Sequence, residues 1–143
     1  MKIPYLYFLE NLEKMESISV TKTFPVTAER LYKAWLSSEE HSQFTVAPAT
    51  IDPKVGGEFL AWDGYISGKN LVLEPYCRIV QSWRTTDFPE NAVDSQIEVL
   101  LIDTEEGAIL TINHSKIPNG QGKEYEDGWN QFYFQAMDDY FSR

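Results

Sequence analysis

Two histidines, His41 and His114, one cysteine, Cys77, and 22 carboxylate side chains are what this 143-residue chain offers for acid–base, nucleophilic or metal chemistry. A nucleophile needs a base beside it, and a metal needs several ligands converging from His, Cys or carboxylate. No Ser/His/Asp or Cys/His signature surrounds either histidine, and neither lies in a ligand-spaced cluster. No catalytic residue, metal or other cofactor is therefore expected. Cys77 has no histidine near it in sequence and reads as a strand residue, not a nucleophile. The adjacent acids Glu124, Glu126, Asp127, Asp138 and Asp139 read as a solvated helix face and compensation of a helix N-terminus. Asp52 and Asp63 sit beside Pro and Gly, where turn chemistry explains them. What remains for catalysis is an acid–base pair in a cavity, His114 with Tyr65 or Tyr133.

Those few groups must be positioned by the rest of the chain, and its organising element is the last stretch, Tyr125 to Phe141. On a helix, Tyr125, Trp129, Phe132, Tyr133, Ala136 and Tyr140 recur at steps of three and four and form one aromatic stripe. Phe134, Met137 and Phe141 fall on a neighbouring strip, expected to be partly exposed. Such a helix is roughly 25 Å long at 1.5 Å per residue, and its aromatic face needs a concave apolar receiver.

The receiver is legible upstream. Residues Glu16 to Phe24 alternate, with Ile18, Val20 and Phe24 on one face, and Lys22 on that parity is expected to snorkel at a rim. Pro25 ends the strand, Thr27 caps a helix over Ala28 to Leu36, and Ser37 with Glu40 has capping-box spacing for a second short helix to about Phe44. Ile51 is extended, and the glycines of Asp52–Gly57 permit a turn. Antiparallel strands follow over Glu58–Trp62, Tyr65–Leu73, Tyr76–Thr85, Ser95–Asp103 and Ala108–Lys116, joined by short turns. The expected fold is α+β: a curved antiparallel sheet of about six or seven strands wrapped on a long C-terminal helix, with two short helices after the first strand.

Parity assigns the inner face. Ile97, Val99 and Leu101 point one way, Leu110, Ile112 and His114 another set inward, and Ile79, Gln81 and Trp83 a third. Gln81 and His114 are polar groups among apolar ones, so they bond within the protein or face a ligand. The candidate ligand lining is Phe44, Phe59, Leu71, Gln81, Trp83, Val99, Leu101, Ile112, His114, Trp129, Phe132, Tyr133 and Ala136. A plain packed core buries the same residue types.

Composition excludes other classes. With 43% hydrophobic and 14% aromatic residues, the chain is no disordered polymer. A net charge of −10 repels phosphate backbones and anionic membranes, so neither nucleic acid nor membrane is an expected partner. One cysteine rules out an internal disulfide and agrees with a cytoplasmic location. Residues 1–14 read as a leader, with Tyr5, Phe8, Leu9 and Leu12 on one helical face, and residues 15–143 as a single domain. The leader is too short and too acidic at its end for a signal peptide. It would cover the second strip of the last helix in the same chain or across a dimer, so a monomer or a homodimer is expected.

Six segments carry a family resemblance: Ile18-Ser-Val-Thr-Lys-Thr-Phe24, Ala47-Pro-Ala-Thr50, Gly56-Gly-Glu-Phe59, Trp62-Asp-Gly-Tyr-Ile-Ser-Gly68, Ile79-Val-Gln-Ser-Trp-Arg84 and Gly128-Trp-Asn-Gln-Phe-Tyr-Phe134. In this order they resemble the C-terminal domain of the activator of heat-shock protein 90 ATPase and its stand-alone bacterial relatives. That family lies in the START-like, birch-pollen-allergen-like superfamily. The resemblance implies a helix-grip fold and a cavity between sheet and helix for a small apolar or aromatic molecule. It implies in second place a co-chaperone-type module acting on a chaperone protein. In the full-length activator a separate N-terminal domain makes much of the chaperone contact, and fourteen leader residues are not such a domain. An enzyme of the cyclase or dehydratase type is the third reading, with no motif of those enzymes matched.

Overall fold

The computed structural model describes residues 14–143, so the expected face of Tyr5, Phe8, Leu9 and Leu12 lies outside the described residues. The chain runs β1 (Glu16–Phe24), α1 (Ala28–Leu36), α2 (Ser38–Thr45), β2 (Thr50–Ile51), β3 (Glu58–Ala61), β4 (Ile66–Glu74), β5 (Arg78–Thr85), β6 (Ser95–Thr104) and β7 (Gly107–Ile117). It ends in one continuous helix: α3 (Gly122–Gly128), a π-helical stretch (Trp129–Phe134) and α4 (Gln135–Phe141). The strands form a seven-stranded sheet in the order β1-β7-β6-β5-β4-β3-β2, antiparallel throughout. This is the helix-grip architecture, with the last helix against the sheet. None of the described helices is long and apolar enough to cross a membrane.

Local chemistry explains the elements. Thr27 accepts from Arg30 N and Ser37 accepts from Glu40 N, so each short helix carries its own N-cap. Asp103 adds a long-range cap, accepting from Ala28 N at 2.8 Å and tying α1 to the end of β6. Alternation holds on the central strands, where Ile97, Val99, Leu101, Leu110 and Ile112 are buried. Lys22 is half-buried on the apolar parity of β1. Gly68 is required for sheet closeness: a Cβ there would lie 1.9 Å from Ser82 O and 2.7 Å from the Phe59 ring.

Three expectations change. Leu71 is 44% exposed because Ile66 and Asn70 hold the inner parity of β4, and a bulge between Asn70 and Val72 then puts Leu73, not Leu71, on the core side opposite Ile79. Cys77 lies in the exposed turn between β4 and β5, its Sγ beside Glu74 O, and not in a strand. Phe134, Met137 and Phe141 are buried, whereas Phe132 is 56% exposed and Ala136 only half-buried.

The π-helical stretch accounts for this last change. A π turn holds one residue more than an α turn, so everything beyond it is advanced by about one position around the axis. The α-period stripe of Phe132, Tyr133, Ala136 and Tyr140 becomes Tyr133, Phe134, Met137 and Phe141. Those are the four that are buried. The second strip is the true inner face of the helix's last half, and it packs on β1: Phe24 meets Phe134 edge-on at 5.8 Å and Phe141 at 6.2 Å.

Candidate functional site

Where the first half of the helix crosses the sheet, the aromatic side chains leave space. A pocket of about 280 Å³ is lined by Trp62, Tyr65, Ile66, Trp83, Tyr125, Gly128, Trp129, Phe132 and Tyr133. The β3–β4 turn supplies Trp62 and Tyr65, β4 supplies Ile66, β5 supplies Trp83 and the last helix supplies the rest. Two costly backbone features meet here. Trp129, Phe132 and Tyr133 all belong to the π stretch, and Trp62 and Asp63 adopt φ of 53° and 56° ahead of Gly64 at 87°. Left-handed backbone at a bulky residue costs roughly 1–2 kcal/mol, and π turns concentrate at functional sites. Hydrogen bonds hold the turn in place: Asp63 N donates to Pro48 O at 2.9 Å and Thr86 N to Tyr65 O at 3.1 Å.

Ring packing forms the walls. Trp62 stands edge-on to Phe132 at 5.7 Å and forms the lip. Trp83 lies 5.6 Å from Trp129, which lies 4.7 Å from Tyr133. The three lining tyrosines keep their hydroxyls engaged elsewhere. Tyr65 donates to Asp87 Oδ2 at 2.6 Å, Tyr125 to Gln121 Oε1 at 2.6 Å, and the Tyr133 hydroxyl sits 3.0 Å from His41 Nε2. Rings, not hydroxyls, therefore face the space.

Both histidines brace this wall from behind. His41 Nδ1 is 2.9 Å from Trp35 O, a carbonyl that only accepts, so Nδ1 carries the proton and Nε2 accepts from Tyr133. Trp129 Nε1 donates to His114 Nδ1 at 3.1 Å. His114 Nε2–H then donates to Ser95 Oγ at 2.8 Å, and Ser95 donates to Trp83 O at 2.9 Å. Burial pushes the His41 pKa down to about 4 and that of His114 down to about 3, so both are neutral near pH 7. Burial likewise raises the hydroxyls of Tyr125 and Tyr133 far above their usual value, so both stay protonated. The pairing of His114 with Tyr65 or Tyr133 is not what forms: Tyr133 is bound to His41, Tyr65 to Asp87 and His114 to Trp129 and Ser95. Among the described residues no group of three or more His, Cys, Asp and Glu could hold a metal.

Of the thirteen residues singled out from sequence, Trp83, Trp129, Phe132 and Tyr133 border the pocket. Phe44 is buried behind it, in tilted contact with Trp35 at 6.4 Å and His41 at 4.6 Å. Gln81 is a satisfied core amide, accepting from Trp35 Nε1 at 3.2 Å and donating to Asn70 Oδ1 at 2.8 Å. Phe59, Val99, Leu101, Ile112 and His114 are buried in the sheet's core, Ala136 is half-buried, and Leu71 faces outward. Trp62, Tyr65, Ile66, Tyr125 and Gly128 complete the lining. The signal for Trp62 and Tyr65 was the Trp62-Asp-Gly-Tyr65 turn, which places an aromatic on each side of a hairpin tip, and Tyr125 lies on the aromatic stripe of the last helix.

The model of the family described as Activator of Hsp90 ATPase homolog 1-like protein matches residues 25–142. Activator of 90 kDa heat shock protein ATPase homolog 1 of Homo sapiens is 32% identical over 120 residues, covering 84% of this chain and 35% of that protein. The corresponding homologue of Dictyostelium discoideum is 24% identical over 128 residues, covering 89% of this chain and 33% of that one. The chain thus spans about a third of the length of these relatives. Among solved structures, an HSP90 activator from Plasmodium falciparum superposes with a TM-score of 0.81 at 24% identity, over 88% of this chain and 96% of the other. The Aha1 dimer from Colwellia psychrerythraea gives 0.73 at 16% identity, over 89% and 96%. Fold, matched span and sequence agree: the chain belongs to the Activator of Hsp90 ATPase homolog 1-like family.

Proposed function

We propose that this chain is a non-enzymatic binding domain that holds a small apolar or aromatic molecule in the pocket between its sheet and last helix. The observation that carries the reading is the pocket wall, in which seven of nine lining residues are aromatic. Concave, largely apolar cavities with few polar groups are the usual form of a small-molecule site, and about 280 Å³ lies at the small end of their range. Both histidines have both ring nitrogens bonded within the protein, so neither offers a free base to the pocket.

The test uses Gly128, whose added Cβ meets nothing within 4 Å and whose backbone is helical. Gly128→Met is expected to fill the pocket and abolish naphthalene binding while the melting temperature holds. Naphthalene binding, followed by NMR of the tryptophan indoles, that is identical in both proteins would sink this site assignment.

A second reading follows the relatives, which are named as activators of a heat shock protein ATPase. It is favoured by the net charge of −10, which complements a basic partner surface, and by the exposure of Phe132 at the pocket lip. Stimulation of a 90 kDa heat-shock-protein ATPase by this chain alone would place this reading first. Under either reading the domain works in the cytoplasm, where exposed Cys77 stays reduced.

A further inference from the structure

We propose that the molecule held in the pocket is a flat, uncharged two-ring compound carrying one hydrogen-bond acceptor, which it presents to the indole N–H of Trp83. The inference rests on the pocket reading above and narrows the ligand class. The chain has four tryptophans. Trp35 donates to Gln81 Oε1 and Trp129 donates to His114 Nδ1, so two indoles are satisfied inside the core. Trp62 is half-buried at the lip, where its side chain donates a hydrogen bond to the Tyr133 hydroxyl.

Trp83 differs from all three. It is only 3% exposed, yet its N–H finds no acceptor among the described residues. Among those residues no side-chain nitrogen or oxygen sealed from solvent lacks a partner. The Trp83 N–H is therefore not sealed, and the open space that Trp83 borders is the pocket. A pure hydrocarbon filling that space would strand the donor away from water, whereas a ligand with an acceptor restores its hydrogen bond.

The rest of the wall sets the other properties. No lining residue is charged, so an ionic ligand would be buried without a partner. The hydroxyl protons of Tyr65, Tyr125 and Tyr133 are committed to Asp87, Gln121 and His41, which leaves Trp83 as the free donor of the inner wall. A cavity of ~150 Å³ takes one benzene ring, and this pocket of about 280 Å³ is close to twice that. Two fused rings fit.

Naphthalene and quinoline share one shape and differ by a ring nitrogen that accepts a hydrogen bond. Both would be titrated into 15N-labelled wild-type protein and the Trp83→Phe variant, with indole N–H resonances and dissociation constants read out. Both probes are expected to bind wild type, and quinoline to move the Trp83 indole proton downfield. The ratio of quinoline to naphthalene affinity should fall about three- to tenfold in Trp83→Phe, the worth of one neutral hydrogen bond. An unchanged ratio in a folded variant that still binds naphthalene overturns the acceptor inference and leaves the pocket reading standing. If Trp83→Phe fails to fold, a Trp83 indole proton that quinoline leaves unmoved in wild type overturns it equally. Failure of both probes to bind wild type removes the pocket reading, and this inference with it.

Discussion

His41 and His114 show how burial converts a chemically capable side chain into a structural one. Each is held neutral by desolvation, and each uses its bare nitrogen to accept from a residue of the pocket wall, Tyr133 or Trp129. A protonated imidazole has no such acceptor, so charging either one breaks that bond. The pH dependence follows from the depressed values. In the unfolded chain a histidine takes up its proton near 6.5, whereas the folded protein resists protonation until about pH 4 at His41 and about pH 3 at His114. Acid therefore favours the unfolded state from about pH 6.5 downward. Urea unfolding at pH 7 and pH 5 should show a loss of about 4 kcal/mol for the pair, and His41→Gln should remove about half of that slope. Equal stability at the two pH values would mean that the histidines are not buried neutral.

At the scale of elements, the π stretch and the end of α2 make separable predictions. Gly128 sits inside a continuous helix at φ −62°, ψ −45°, with open space where a Cβ would go. Gly128→Ala should raise unfolding stability by roughly 0.5–1 kcal/mol through backbone entropy alone. A loss of stability in urea melts would show that the helix there needs glycine. Val46 closes α2 in the left-handed region, φ 58° and ψ 35°, and is 84% exposed, so no packing compensates its strain. Val46→Gly should gain about 1 kcal/mol in the same assay, since glycine adopts that conformation without the Cβ clash. A neutral or negative change would argue that the valine is held there by something outside the helix. The β3–β4 turn also spends three successive left-handed residues, and it delivers Trp62 to the pocket lip.

Across the whole molecule, the boundary between what is local and what is collective decides what could be read from the chain. The bounds of β1 and α1, the caps at Thr27 and Ser37 and the inward set Ile79, Gln81, Trp83 on β5 follow from side-chain period and from hydrogen bonds within three residues. The order of strands and helices, and thus the helix-grip fold, follows from these. The inner face of the last helix does not, because an α period of 3.6 carries no notice of a π turn. That turn pairs with the distant contacts of Trp129 on Trp83 and Phe134 on Phe24. Leu71 escaped for the same reason, since one bulged residue in β4 reverses the parity of its neighbours. Elements, their caps and the kind of side chain that fills the interior are thus set by local pattern along the chain. Which aromatics enclose space and which fill it is settled by long-range packing, because a cavity is the small difference between two large packed volumes, and no local pattern encodes a difference.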